Sequence, residues 1–239
     1  MKVLALETST EYCSVALWQD SIVLEHCERV GQKHSEMLMP MLDVLLREAG
    51  VTMNQLDGIA FGAGPGSFTG VRIACGVTQG LAFGASLPVA GICTLLALAE
   101  ASGQQRVIAA LDARMGEIYC AAYEKHGKEW TTVCEPCLCK PEDAPAVSGT
   151  GWFGAGSGFA EFGGVLQTRY IAQLGGVNAA AVPQAAAIAS LGAAQFASGL
   201  GVDAALAQPF YLRDKVALKT AEREQLAIEK ELNSKLPCV

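Results

Sequence analysis

The chain reads Gly62-Ala-Gly-Pro-Gly-Ser-Phe-Thr-Gly-Val-Arg72 at the stretch that decides its fold. Four glycines and a proline predict a loop here, because neither residue suits the interior of a helix or a strand. The apolar run at 58–61 before it is typical of a short strand, and residues 71–83 after it are typical of a helix. Ser67 is a good N-cap for that helix. The stretch therefore predicts a turn that joins a strand to a helix.

This glycine stretch has two interpretations. A strand, a glycine turn and a helix in this order can aim backbone N–H groups at an anion. The stretch lacks the lysine of a phosphate-binding P-loop, so that motif is excluded. The other interpretation is a tight turn that lets the helix pack close to the sheet, and the residue types favour it. The residues concerned are Gly64, Gly66, Ser67, Gly70 and Arg72.

Composition predicts a folded and acidic protein. Its 239 residues suit one large domain or two small ones. A net charge of −7 argues against strong nucleic-acid binding by this chain alone, although a partner could supply a basic surface. We expect no signal peptide and no membrane-spanning run. Nine scattered cysteines then indicate reduced thiols in the cytoplasm.

The first hundred residues predict elements in the order βββαβαβα, which suits a mixed sheet with an antiparallel meander and helical crossovers. Ser35 is expected to cap the first helix, and Gly50 is expected to end it. The strands are predicted at 2–6, 13–18, 22–27, 58–61 and 89–91, and the helices at 34–48, 67–84 and 94–101.

A polar break at residues 102–106 is the predicted boundary between two units, 1–102 and 103–215. Both units open with strand–turn–strand, which suggests a duplicated fold. The later elements are predicted as strands at 107–111 and 118–123 around a turn at 113–117, a helix from Pro183 to about Ala197, and a charged helix at 216–232 that packs back on the first unit. Residues 125–180 give no clear pattern.

Three glycines recur at every fourth position of the helix predicted at 67–84: Gly76, Gly80 and Gly84. A glycine inside a helix costs roughly 1 kcal/mol relative to alanine, so a column of three needs a compensating role. A groove of small residues lets another helix approach closely. That helix is either the apolar one at 34–48, inside this chain, or a helix of a partner, and both interpretations stay open.

Other candidate sites are weaker. His34-Ser-Glu-Met-Leu38 lacks the second histidine of a metal-binding pair. Cys134, Cys137 and Cys139 lack a fourth ligand and are predicted as loop cysteines. No Gly-x-Ser-x-Gly elbow of a serine hydrolase is present. The carboxylates near strand ends could hold Mg²⁺, or they could simply cap turns: Glu7, Asp112 and Glu117.

Four stretches in this order resemble the bacterial TsaB (YeaZ) family, whose group makes threonylcarbamoyladenosine on tRNA. They are Val3-Leu-Ala-Leu-Glu-Thr-Ser-Thr10, the glycine stretch, Asp112-Ala-Arg-Met-Gly-Glu-Ile-Tyr119 and Pro209-Phe-Tyr-Leu-Arg213. The resemblance implies an α/β fold of the actin, sugar kinase and Hsp70 type, with two related subdomains that each hold a mixed sheet with helices. It also implies a subunit without catalytic activity of its own.

The resemblance implies a crevice where active members of the fold bind ATP, using a hairpin from each subdomain. The matching positions here are Glu7, Ser9, Asp112 and Gly116. The first hairpin, Thr8-Ser-Thr10, lacks the glycine that lets backbone approach phosphate. We therefore expect no cofactor to bind tightly to this chain alone, while ATP or ADP and Mg²⁺ could bind in a complex.

The resemblance also implies partners. They are a TsaD-type catalytic paralogue, a TsaE-type ATPase and, as an alternative, a second copy of the chain. The implied complex places a threonylcarbamoyl group on adenosine 37 of tRNAs that read codons beginning with A. The implied helix interface is Leu38, Met41, Leu42, Leu45, Ile73, Val77 and Gly80. The competing functions are an ATP-dependent phosphotransferase of the same fold and a metallopeptidase, against which the missing second histidine argues.

Overall fold

The computed structural model describes residues 1–213, which form two five-stranded sheets with six helices. The predicted helix at 216–232 lies outside the described residues. The first sheet contains β1 (Lys2–Glu7), β2 (Tyr12–Gln19), β3 (Ile22–Arg29), β4 (Gly58–Gly64) and β5 (Val89–Cys93). The second contains β6 (Arg106–Arg114), β7 (Glu117–His126), β8 (Glu129–Cys139), β9 (Trp152–Ala155) and β10 (Leu174–Asn178). The helices are α1 (His34–Ala49), α2 (Phe68–Ala85), α3 (Thr94–Ala101), α4 (Ser157–Glu161), α5 (Gly163–Arg169) and α6 (Ala185–Ala197).

The two sheets share one topology. Their strand orders are β3-β2-β1-β4-β5 and β10-β9-β6-β7-β8. Each sheet contains an antiparallel meander of three strands. A fourth strand pairs in parallel with the first strand of the meander, and a fifth pairs in parallel with the fourth. The predicted α/β fold of two related mixed sheets is therefore confirmed, and the shared order agrees with a duplication.

Helices cover both faces of the first sheet because residues in β1 alternate between them. Leu4 and Leu6 pack with α1 and α2 on one face. Val3 and Ala5 pack with α6 on the other. The division at residue 103 therefore assigned α6 to the wrong unit. A hydrogen bond also joins the start of α6 to the first sheet. The N–H of Ala185, which has no partner within the helix, donates to Ser14 Oγ of β2 at 2.9 Å.

The start of α1 at His34 is confirmed, but its predicted cap and the predicted start of α6 are wrong. The residue before α1 is Lys33, with no side-chain cap, and Ser35 lies exposed within the first turn. Pro183 lies two residues before α6, which begins at Ala185. Gly50 does end α1, in the left-handed conformation at φ 64°.

The cysteines predicted in a loop lie on a strand. Residues 129–139 form β8, the edge strand of the second sheet, where Cys134, Cys137 and Cys139 pack against the core beneath β7. The pairing of β8 with β7 shifts register twice, at Cys120–Ala122 and at Ala122–Tyr123. These irregularities break the alternating pattern by which a strand is recognised in sequence. No helix in the described part of the chain is long and apolar enough to cross a membrane.

Candidate functional site

The glycine stretch is a loop only at its centre. β4 continues through Gly64, and α2 begins at Phe68, so the turn is limited to residues 65–67. The prediction of a loop over all of 62–72 is wrong at both ends. Ser67 does cap α2, because its Oγ accepts a hydrogen bond from Gly70 N at 3.3 Å.

Close approach of the first hairpin explains why glycine occupies these positions. A Cβ at Gly62 would overlap the carboxylate of Glu7, and one at Gly70 would overlap the carbonyl oxygen of Thr8. Backbone contacts hold the same segments together, since Ser67 N donates to Ser9 O at 2.7 Å. The glycines thus let residues 7–9 pack against the start of α2. The structure supports the tight-turn interpretation over an anion site.

Glu7 and Ser9 lie inside the protein. Glu7 is 1% exposed, and one carboxylate oxygen accepts from the Ser9 amide. Its Oε2 and the Ser9 hydroxyl have no hydrogen-bond partner within residues 1–213. Burial raises the pKa of Glu7 and so favours its neutral form. Mg²⁺ usually keeps several of its waters, so the enclosed position of Glu7 favours a structural role for this carboxyl group.

The acidic residues of the β6–β7 hairpin cap its turn and bind arginines. Asp112 Oδ1 accepts from Arg114 N at 2.8 Å, and its other oxygen lies 3.0 Å from the Arg114 guanidinium. Glu117 pairs with Arg213 at 2.7 Å. Gly116 is exposed and adopts φ 77°, which the tight turn requires. Asp112 therefore caps the turn of this hairpin, which is one of the two roles expected for these carboxylates.

A small cavity lies in the crevice between the two halves of the chain. The cavity there has a volume of about 40 Å³ and is lined by both halves and by the segment that ends the described chain. The lining residues include Gly66, Phe68, Tyr119, Phe210, Tyr211 and Arg213. Sites for small molecules and cofactors have volumes of roughly 300–1,000 Å³. This cavity is therefore too small for an adenine nucleotide.

Four residues predicted at a helix interface are buried in the chain's own core. Leu38, Met41, Leu42 and Leu45 are each at most 5% exposed and pack against the first sheet. They are wrong as partner contacts. The first sheet of the same chain covers the apolar stripe of α1. Ile73 and Val77 on α2 are half-buried against the same core.

The glycine column of α2, in contrast, faces outward. Gly76, Gly80 and Gly84 are exposed. Apart from the neighbouring backbone of α2 itself, a Cβ built on any of them meets no atom of residues 1–213 within 4 Å. Packing against α1 inside the chain is therefore not their role. The side chain of Phe83, beside them on α2, is 80% exposed. We call Gly76, Gly80 and Gly84 the glycine face of α2.

Comparisons with known proteins agree with this fold. Residues 26–224 match the family model "TsaD: tRNA N6-adenosine threonylcarbamoyltransferase". The tRNA threonylcarbamoyladenosine biosynthesis protein TsaB of Escherichia coli K12 is 38% identical over 230 residues, which cover 92% of this chain and 97% of that protein. The chain belongs to the TsaB (YeaZ) family. TsaB of Haemophilus influenzae is 34% identical, with 92% and 96% covered. YeaZ from Pseudomonas aeruginosa superposes with a TM-score of 0.82 at 41% identity, covering 88% of this chain and 99% of that one.

Another Pseudomonas aeruginosa structure with TM-score 0.82 is described as similar to peptidase YEAZ, which raises the question of a metal site in this TsaB-family chain. His34 is buried, and its Nε2 lies 3.1 Å from the carbonyl oxygen of Tyr12, which gives it a structural role. Burial raises the pKa of the Cys139 thiol above its ordinary value. Within residues 1–213, no group of three His, Cys, Asp or Glu side chains is placed to hold a metal.

Proposed function

We propose that this chain is a non-catalytic subunit in the biosynthesis of threonylcarbamoyladenosine on tRNA, and that it binds a TsaD-type catalytic paralogue through the glycine face of α2. The names of its Escherichia coli and Haemophilus influenzae relatives support the pathway. The proposed binding surface is supported by the column of three exposed glycines on α2, which has open space in front of it.

The energetics of the glycine face support a binding role. Each glycine costs roughly 1 kcal/mol of helix stability relative to alanine. The described fold gains nothing in return, because no part of residues 1–213 packs on these positions. A helix of another protein would gain close backbone approach along the column. The exposed ring of Phe83 adds an aromatic contact of the kind that anchors protein interfaces.

The remaining chemistry belongs to the partners under this proposal. A net charge of −7 gives the chain little attraction for a phosphate backbone, so tRNA binds through the basic surface of the complex. The small volume of the cavity between the two halves supports a location elsewhere in the complex for ATP or ADP and Mg²⁺. A TsaE-type ATPase joins that complex. A second copy of the chain would use the same glycine face and would therefore compete with the paralogue.

Gly80→Leu tests this surface. A leucine side chain at Gly80 meets open space in the isolated chain but would collide with a helix packed on the column. We expect it to weaken the complex by roughly 2 kcal/mol or more, which is about thirtyfold. The measurement is gel filtration with light scattering of the variant mixed with the TsaD-type protein.

Ala194→Leu is the matched control. Ala194 is exposed on α6, which covers the opposite face of the first sheet. Its leucine adds the same apolar side chain to a helix surface that the proposal leaves free. The control should bind the partner as the unmodified chain does. A one-to-one complex of undiminished affinity with Gly80→Leu would refute the proposed surface.

A further inference from the structure

The last described segment runs from the side of α2 into the crevice between the sheets. Ala207 O accepts a hydrogen bond from the side chain of Gln79 on α2 at 3.1 Å. Phe210 N then donates to Ala63 O, near the end of β4, at 2.7 Å. A Cβ at Gly64 would lie 2.7 Å from the carbonyl oxygen of Phe210, so the glycine permits this approach. We call residues 207–213 the strap.

The end of the strap binds the second sheet. Arg213 Nη2 donates to Glu117 Oε2 at 2.7 Å and to Ala113 O at 3.2 Å, both in the β6–β7 hairpin. Its side chain is only 16% exposed, so solvent screens this ion pair less than one at the surface. A charge-assisted pair with a second hydrogen bond is among the stronger polar contacts in proteins. The strap thus links the end of β4 to the hairpin of the other sheet.

An aromatic stack holds the outer side of the strap. The guanidinium carbon of Arg72 lies 3.1 Å from the ring centroid of Phe68 and 5.0 Å from that of Tyr211. The two rings lie 6.0 Å apart. Because Phe68 and Arg72 belong to the first turns of α2, this stack fixes the strap to the start of that helix.

We propose that the strap is a built-in occupant of the crevice. It fills the space between the sheets that a nucleotide would need, and it holds the β6–β7 hairpin at a set position relative to β4 and α2. This assigns a role to the Pro209–Arg213 motif, which partner binding does not explain. It also argues against the phosphotransferase alternative, because substrate entry would require the strap to leave.

Hydrogen exchange of the full-length chain tests the link. Arg213→Ala removes the bonds to the hairpin, and we expect backbone exchange at residues 210–213 and 113–117 to accelerate roughly tenfold or more. Arg106→Ala is the matched control, because Arg106 also bonds one carboxylate and one carbonyl, Glu124 and Thr150, but both lie in the second half. It should leave exchange at both sites unchanged.

Glu117→Gln is a milder variant in case Arg213→Ala does not fold. It keeps the hydrogen bond from Arg213 to Ala113 and should raise exchange at the same two sites by a smaller factor. Unchanged exchange at both sites in a folded Arg213 or Glu117 variant would overturn the proposal.

Calorimetry with Mg-ATP tests the occupancy. We expect no binding heat with the full-length chain at millimolar nucleotide. One-to-one binding, accompanied by faster exchange at Phe210, would show that nucleotide displaces the strap and would overturn the proposal. Both experiments use this chain alone, so their outcome is independent of whether the TsaD-type protein binds the glycine face.

Discussion

Replacing Gly76, Gly80 and Gly84 together with alanine should stabilise the isolated chain. All three lie exposed inside α2, and an added Cβ would meet no described residue within 4 Å other than the neighbouring backbone of that helix. Each alanine should add roughly 1 kcal/mol, because glycine loses more backbone entropy when the helix forms. The triple variant should gain roughly 2–3 kcal/mol in its free energy of unfolding.

Thermal and urea unfolding, followed by circular dichroism, measure this gain. In a chain of this size, 1 kcal/mol raises the melting temperature by roughly 2–4 °C, so the triple variant should melt about 5–10 °C higher. Gly70→Ala is the opposite control. It lies in the same helix, but its Cβ would overlap the Thr8 carbonyl oxygen, so the variant should lose stability.

The same triple variant should bind the TsaD-type partner more weakly, because three methyl groups fill the groove on which a partner helix would pack. A stabilised chain with weakened binding would show that the glycines are kept for the partner at the expense of stability. An unchanged or lowered melting temperature would refute the reasoning, since some other part of the chain would then cover these positions.

Two further predictions concern buried side chains. Burial raises the pKa of Glu7, so any stability that its neutral form contributes is fully present below the usual value of 4.5 and is lost as pH rises through the folded pKa. Urea titrations at several pH values should therefore show the unmodified chain losing stability relative to Glu7→Gln as pH rises. A difference between the two chains that does not change with pH would contradict this. Leu45→Ala should lower the free energy of unfolding by about 2–5 kcal/mol, because Leu45 is fully buried. The folded variant should still bind the partner. Loss of binding by a folded variant would show that Leu45 belongs to the partner interface.

The sequence alone determines most of the first half. Glycine punctuation and alternating apolar residues predict all five strands and three helices of residues 1–101, because these signals act over a few neighbouring residues. Strand β8 is missed since its register shifts disturb the alternation on which such a prediction depends. The four family-like stretches are enough to suggest the family that the comparisons then show.

Only the tertiary structure decides which surfaces are covered. The periodicity of α1 predicts a stripe through Leu38, Leu42 and Leu45, but the stripe looks the same whether a sheet or a partner covers it, and here the sheet does. The glycines of α2 look alike in sequence, yet Gly70 is required by Thr8 of the first hairpin and Gly80 faces open space. The strap contacts residues that are distant from it in sequence, with Arg213 reaching Glu117 across 96 positions. Local residue patterns determine helices and strands, whereas burial depends on contacts between segments that no local pattern records.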